Sequence, residues 1–165
     1  MILCCKQIPI PILNIPYDKL VFLHDNLKHL FLPRYKNNTS WQSFDLIVNG
    51  KQNTLLKHLS EITDWLELLV SNTGIKNIKH MYIAVLATYS QIPWHHDRQD
   101  YSFDKSFITA LHTKKSFIEF CDDKKYLYKQ GYSYIIRSGI DHKILNLNKS
   151  IRITLCTTPE ENAYV

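Results

Sequence analysis

Glycine is scarce in this chain of 165 residues: there are four, against ten tyrosines and seven phenylalanines. With 45% hydrophobic and 21% charged residues, that balance argues against a disordered chain. Cysteine is sparse as well. Cys4, Cys5, Cys121 and Cys156 form no C-x-x-C pair, so neither a zinc knuckle nor a thioredoxin-type motif is present. A reduced, cytoplasmic setting is the default for such thiols. No apolar run approaches the roughly 20 residues that span a bilayer. The opening Met1-Ile2-Leu3-Cys4-Cys5-Lys6 is short and soon meets Pro9, Pro11 and Pro16, so it reads as neither a secretory leader nor a membrane anchor, and no membrane partner is expected. An excess of one charge is missing too. The net charge of +5 is scattered over residues such as Lys76, Lys79, Lys114, Lys115, Lys124 and Lys125, which reads as a solvated surface rather than a nucleic-acid footprint. There is no repeat and no linker, and the length suits a single domain, 1–165. The many Lys, Asn and Ile fit an AT-rich microbial, phage or viral genome.

Leu3 to Ile15 alternates apolar residues with prolines, the pattern of an extended edge segment. Leu20, Val21, Leu23, Leu27, Leu30 and Phe31 form a helical stripe over Tyr17 to Phe31 that Pro33 stops. Asn37 to Ser40 reads as a polar loop, and Ser43 to Val48 as a strand running into the turn Asn49-Gly50. Leu55, Leu56, Leu59, Ile62, Trp65, Leu66 and Leu69 predict a helix over Thr54 to Val70, ended near Gly74. Beyond it come eight short β-like runs: His80–Thr88, Ile92–Asp97, Ser106–Thr113, Phe117–Cys121, Lys125–Lys129, Tyr132–Arg137, Lys143–Leu147 and Ile151–Thr157. Their near-even spacing predicts a mainly β fold, a double-sheet jelly roll or cupin-like barrel, with amino-terminal helices packed on one sheet. Residues 1–79 would then be helical and extended support, and 80–157 the catalytic β-core.

The chemistry centres on Ile92-Pro93-Trp94-His95-His96-Asp97-Arg98. In an extended chain His95 and Asp97 point to one face, offering an imidazole and a carboxylate to one point in space. A second imidazole would complete the two-His, one-carboxylate arrangement of non-haem Fe(II) oxygenases. His96, between them, should point away to the surface. The last hairpin supplies the rest. On Ile151-Arg152-Ile153-Thr154-Leu155-Cys156 the alternation sets Arg152, Thr154 and Cys156 on one face and Ile151, Ile153 and Leu155 on the other. An inward-facing Arg needs an anionic partner, because an unpaired buried charge is costly. A diacid such as 2-oxoglutarate suits it, with the guanidinium fork on one carboxylate and the Thr154 hydroxyl beside it. On the preceding run His142, Ile144 and Asn146 share a face, so His142 looks into the same cavity as Arg152.

With His95-x-Asp97, Gly131-Tyr132-x-Tyr134, His142-x-x-x-Asn146 and Arg152-x-Thr154, the chain resembles the Fe(II)/2-oxoglutarate-dependent dioxygenases from about His80 to Thr157. Within them it is most similar to the aspartyl/asparaginyl β-hydroxylase-like branch, which includes prolyl and free-amino-acid hydroxylases. The resemblance implies a double-stranded β-helix, with His95, Asp97 and His142 as catalytic metal ligands for Fe(II). It implies Arg152 and Thr154 as the pair binding the co-substrate 2-oxoglutarate. A family His near the co-substrate is matched by His112; Ala110 stands where the branch often has a further Arg. Asn146 is expected to contact the co-substrate or to steady the ligand imidazoles. Trp94 and Arg98 stand at the mouth as candidate substrate contacts. The implied reaction hydroxylates an amino-acid side chain, in a protein, peptide or free amino acid, and yields succinate and CO2. Two other readings belong to different classes: a cupin-like metal- or acid-binding module without turnover, and an oxygenase acting on nucleic acid. Leu155-Cys156-Thr157-Thr158 lacks the further Arg that the base-repair enzymes carry, which counts against the latter.

Overall fold

The computed structural model describes residues 5–9, 24–35, 38–58, 75, 77–97, 105–137 and 139–160. Among them are twelve strands: β1 (Cys5–Pro9), β2 (Leu32–Tyr35), β3 (Asn38–Val48), β4 (Lys51–Gln52), β5 (Ile78–Leu86), β6 (Ser90–His95), β7 (Lys105–His112), β8 (Ser116–Phe120), β9 (Lys125–Leu127), β10 (Tyr132–Arg137), β11 (His142–Asn146) and β12 (Arg152–Pro159). They form two antiparallel sheets. The larger has the order β1-β10-β7-β12-β5-β3-β2, with β4 paired to β3; the smaller has the order β6-β11-β8-β9. From β5 onward successive strands cross between the sheets, the β8–β9 hairpin excepted, so β12 lies between β5 and β7 while β11 lies between β6 and β8. This interleaving is the double-stranded β-helix.

Alternation along the strands explains where the two cores sit. On β12 Ile153 and Leu155 join Phe44, Leu46, Met81, Ile83, Val85 and Phe107 on the outer face of the large sheet. Leu27, Phe31, Leu56 and Ile75 from the amino-terminal half cover that face. The opposite faces of β5, β7 and β10 meet the small sheet, where Leu86, Ile108, Tyr134 and Ile136 pack with Ile92, Ile118, Phe120 and Ile144. Apolar side chains thus fill both sides of one sheet, and a cavity opens between the sheets where the filling becomes polar.

The eight runs past Gly74 become β5 to β12, with bounds shifted by two residues at most. The amino-terminal half differs more. It does not only cover a sheet; β1, β2, β3 and β4 belong to the large one. Residues 24–27 are helical and Lys28–Leu30 continues as a 3-10 turn, stopping ahead of Pro33 as expected. Pro33 itself lies in β2, an outer strand, where a residue without an N–H is tolerated. The polar stretch Asn38 to Ser40 is not a loop but the start of β3. Asn38 Oδ1 accepts from the Ser40 N–H at 3.0 Å, and pairing with β2 and β5 carries the strand past its polar composition. Of the helix predicted over Thr54 to Val70, Thr54–His58 is a 3-10 turn and the remainder lies outside the described residues. Asn49 and Gly50 both have positive φ, 51° and 73°, as a two-residue hairpin turn between twisted strands requires. Among the described residues no helix is long and apolar enough to cross a membrane.

Candidate metal centre

His95 ends β6 and His142 begins β11, and the two are register partners. Between that pair and Ile92–Ile144 the register slips by one residue, so Pro93 and Trp94 together oppose Lys143. A bulge of this kind re-aims the side chains that follow it, and it tolerates proline. Ile92 and His95 consequently both face the cavity although they are three positions apart, an odd spacing that a regular strand would turn to opposite faces. Trp94 turns outward, 49% exposed, with the Lys143 ammonium 4.8 Å from its ring.

Asp97 lies two residues past the end of β6. Ligand atoms of His95, Asp97 and His142 all fall within 4.8 Å of one another, close enough to share one ion. The His95 and His142 rings are 4.3 Å apart between centroids. Each ring is aimed by its own backbone: His95 Nδ1 donates to the Pro93 carbonyl at 2.8 Å and His142 Nδ1 to the Ile140 carbonyl at 2.9 Å. A neutral imidazole protonated on Nδ1 keeps its lone pair on Nε2, the form a metal requires. Burial, reinforced by the neighbouring His142, holds the His95 pKa below the ordinary imidazole value and so keeps that lone pair free. His142 is buried, while His95 and Asp97 are half-buried.

The cavity lining also contains Arg152, Thr154, Ile92, Ile108 and Ile144. Arg152 is 2% exposed, and among the described residues its Nε and Nη2 have no hydrogen-bond partner. The Tyr128 ring lies 4.4 Å from its Cζ, a stacking contact that holds the guanidinium without using its in-plane donors. A buried cation with two idle donors fits a carboxylate-bearing ligand. The donor set opposite, two imidazoles and one carboxylate on one face, fits Fe(II) with open coordination positions.

The remaining sequence candidates sit elsewhere. Asn146 is buried on the inward face of β11, but four residues from His142, about 13 Å along a strand, and it does not line the cavity. Its Nδ2 donates to the carbonyls of Ala87 at 2.8 Å and Ser150 at 3.0 Å, and its Oδ1 accepts from Ser116 Oγ at 3.1 Å. It locks two turns to the small sheet, whereas the ligand imidazoles are steadied by Pro93 and Ile140. His112 is buried at the end of β7, next to a register shift, with Nε2 3.4 Å from Ser150 Oγ, and it too is outside the lining. Burial, with a smaller contribution from Lys114, lowers its pKa to about 4. His96 is exposed and pairs with Asp141 at 3.1 Å, joining the residue after one ligand to the residue before another. Arg98 lies outside the described residues.

Cys156 lines the cavity on the face it shares with Arg152 and Thr154, and so do Trp41 and Tyr82, which the sequence does not single out. Trp41 belongs to β3, a strand that carries no family motif, and only its register with β5 brings it to the site. The alternation Trp41-x-Ser43-x-Asp45 is the signal that could have found it.

A model of the aspartyl/asparaginyl β-hydroxylase family matches residues 18–160 of the chain. Two solved structures share the fold. A prolyl-4-hydroxylase from Pseudomonas putida is 13% identical with a TM-score of 0.60, over 96% of this chain and 94% of that one. A 2OG-Fe(II) oxygenase family oxidoreductase from Burkholderia pseudomallei is 12% identical with a TM-score of 0.57, over 98% and 89%. No curated relative matches the chain. With the family match spanning all of the double-stranded β-helix, the chain belongs to the aspartyl/asparaginyl β-hydroxylase family and is an oxidoreductase of the hydroxylase kind.

Proposed function

We propose that this hydroxylase uses Fe(II) and 2-oxoglutarate to hydroxylate an amino-acid side chain, in a protein, a peptide or a free amino acid, releasing succinate and CO2. One observation carries the reading. Ligand atoms of His95, Asp97 and His142 lie within 4.8 Å of one another, in the same cavity as the idle donors of buried Arg152.

His95, Asp97 and His142 would hold the iron, which when bound activates O2, couples this to oxidative decarboxylation of 2-oxoglutarate and hydroxylates a C–H bond. The chain's own contribution is binding, aiming and exclusion of water. The Pro93 and Ile140 carbonyls fix both imidazoles in the tautomer that presents Nε2. Arg152 would take one carboxylate of the co-substrate through Nε and Nη2, with the Thr154 hydroxyl as a further donor. Thr154 is fully buried, and its Oγ1 lies 3.9 Å from Cys156 Sγ, too weak a contact to compete for that role. Ile92, Ile108 and Ile144 supply the apolar part of the wall, which limits water beside the reacting centre and strengthens polar contacts there.

The deciding experiment supplies Fe(II), 2-oxoglutarate and air and measures succinate, together with the anaerobic spectrum of the Fe(II)–2-oxoglutarate complex. Succinate formation and a visible metal-to-ligand charge-transfer band are expected. Absence of both would overturn the reading.

A further inference from the structure

The structure assigns a positioning role to His96 and Asp141: their side-chain bond adds one rung to the small sheet beyond its last paired residues, and so aims the carboxylate of Asp97 at the metal. The inference rests on the reading of His95, Asp97 and His142 as a metal centre, and adds two residues that act on it through their neighbours.

The small sheet runs out at the ligands. β6 ends at His95, β11 begins at His142 and β8 ends at Phe120, and these three residues lie side by side in register. Backbone pairing therefore holds both imidazoles, whereas Asp97 comes two residues after β6 has ended. One step further out, the same register sets residue 96 against 141 and 141 against 121. Both links are made there, by other means. The Cys121 N–H donates to the Asp141 carbonyl at 3.1 Å, and His96 Nδ1 donates to Asp141 Oδ1 at 3.1 Å. Asp141 is thus fixed to the end of β8 by its backbone and holds His96 by its side chain.

Alternation puts this bond on the outer face of the sheet, away from the cavity. One step inward on that face Lys143 bridges the same strands, its ammonium 4.8 Å from the Trp94 ring and 2.8 Å from Glu119 Oε1. The rung that bears both imidazoles is therefore clasped on either side. The outer clasp adjoins all three ligands: His96 stands between His95 and Asp97, and Asp141 precedes His142. Its side chains are 56% and 59% exposed, and so open a pair adds little to folding stability. The consequence is local. With the His96 ring held, the backbone leading to Asp97 has fewer conformations, so less order remains to be imposed when the carboxylate meets the ion. The bond does not require a charged ring, because a neutral imidazole with its proton on Nδ1 donates it equally.

The test uses full-length protein and Co(II), which reports affinity by competition with a chelating dye and ligand geometry by its visible ligand-field bands. His96→Phe, which keeps a ring but no donor, and Asp141→Ala should each weaken Co(II) binding by about five- to tenfold, the low end for a supporting residue because the pair is open to water. Their bands should move toward those of Asp97→Ala. His96→Asn and Asp141→Asn should bind within about twofold of wild type, since the first sets an amide N–H where Nδ1 stood and the second keeps the acceptor without its charge. In an Asp97→Ala background neither His96→Phe nor Asp141→Ala should weaken binding further, which separates aiming from a general loosening of the fold. Unchanged affinity and bands in His96→Phe, an Asp141→Asn loss equal to that of Asp141→Ala, or a loss that persists in full without Asp97 would overturn the positioning role. Equal Co(II) binding by wild type and Asp97→Ala would overturn the metal reading and this role together, whereas a weak Asp97→Ala beside an unaffected His96→Phe would overturn the role alone.

Discussion

His95 and His142 face each other across antiparallel strands, and each donates its Nδ1 proton to the carbonyl two residues earlier in its own chain, Pro93 and Ile140. The same local device on both strands turns the two Nε2 atoms toward each other and toward Asp97. Both imidazoles are therefore aimed by backbone rather than by other side chains.

Metal binding should accordingly depend above all on the three side chains. His95→Ala, Asp97→Ala or His142→Ala should weaken Fe(II) or Zn(II) binding by about 100-fold or more, since loss of even a supporting residue at a metal site costs about 10- to 100-fold. Saturating metal should raise the wild-type melting temperature, because a ligand at 100 times its Kd stabilises by about 2.7 kcal/mol. The three variants should lose that rise. A variant that keeps both the affinity and the thermal shift would remove its residue from the ligand set.

Much of the β-core was legible in the sequence because its signals are local. Period-two alternation in 151–156 gives the faces of β12, and its turn residues place β11 before it. The amino-terminal half was less legible because tertiary pairing decides it. Asn38 to Ser40 is polar enough for a loop, yet β2 and β5 on either side draw it into β3. Asn146 and His112 show the limit of face-sharing arguments. Each shares the inward face of its strand with cavity residues, but a strand is longer than the cavity, and the turn carbonyls or Ser150 claim the far end. His95 and Asp97 meet although β6 ends at His95, so a period-two ladder is not what brings them together.

Arg152 should matter to the ligand and not to the fold. Its buried Nε and Nη2 find no partner among the described residues, so the ligand-free protein bears an uncompensated cost. Arg152→Met should weaken 2-oxoglutarate binding to the metal-loaded protein by about 100-fold, the scale of a lost charge-assisted pair. The same change should leave the ligand-free melting temperature equal or higher, as replacing buried charge by apolar volume often does. A marked fall in melting temperature with unchanged affinity would make Arg152 structural.

Asn146 should behave in the opposite way. Removing its amide leaves the Ala87 and Ser150 carbonyls and the Ser116 hydroxyl short of partners inside the protein. Asn146→Ala should destabilise by about 2–4 kcal/mol, from more than one unsatisfied buried group, in urea unfolding. Affinity for 2-oxoglutarate should stay within about threefold, far below the cost of losing a direct charged contact. An affinity loss comparable to that of Arg152→Met, without destabilisation, would return Asn146 to the co-substrate site.

His112 supplies a pH dependence separate from the metal. Burial chiefly, and the Lys114 charge to a lesser degree, lower its pKa from 6.5 to about 4 in the folded protein. A base that the fold keeps neutral binds fewer protons folded than unfolded, so acid favours the unfolded chain. Stability should therefore decline as pH falls from about 6.5 towards about 4 and gain no further slope from this residue below that window. Between pH 7 and pH 5 the loss should be on the order of 1 kcal/mol after allowance for partial solvation of the ring. His112→Gln, which cannot take up the proton, should unfold at lower urea at pH 7 but lose less on acidification. Metal-free protein is the sample of choice, since proton release on metal binding then does not enter the profile. Parallel acid profiles for wild type and variant would show that the ring is not held neutral by the fold.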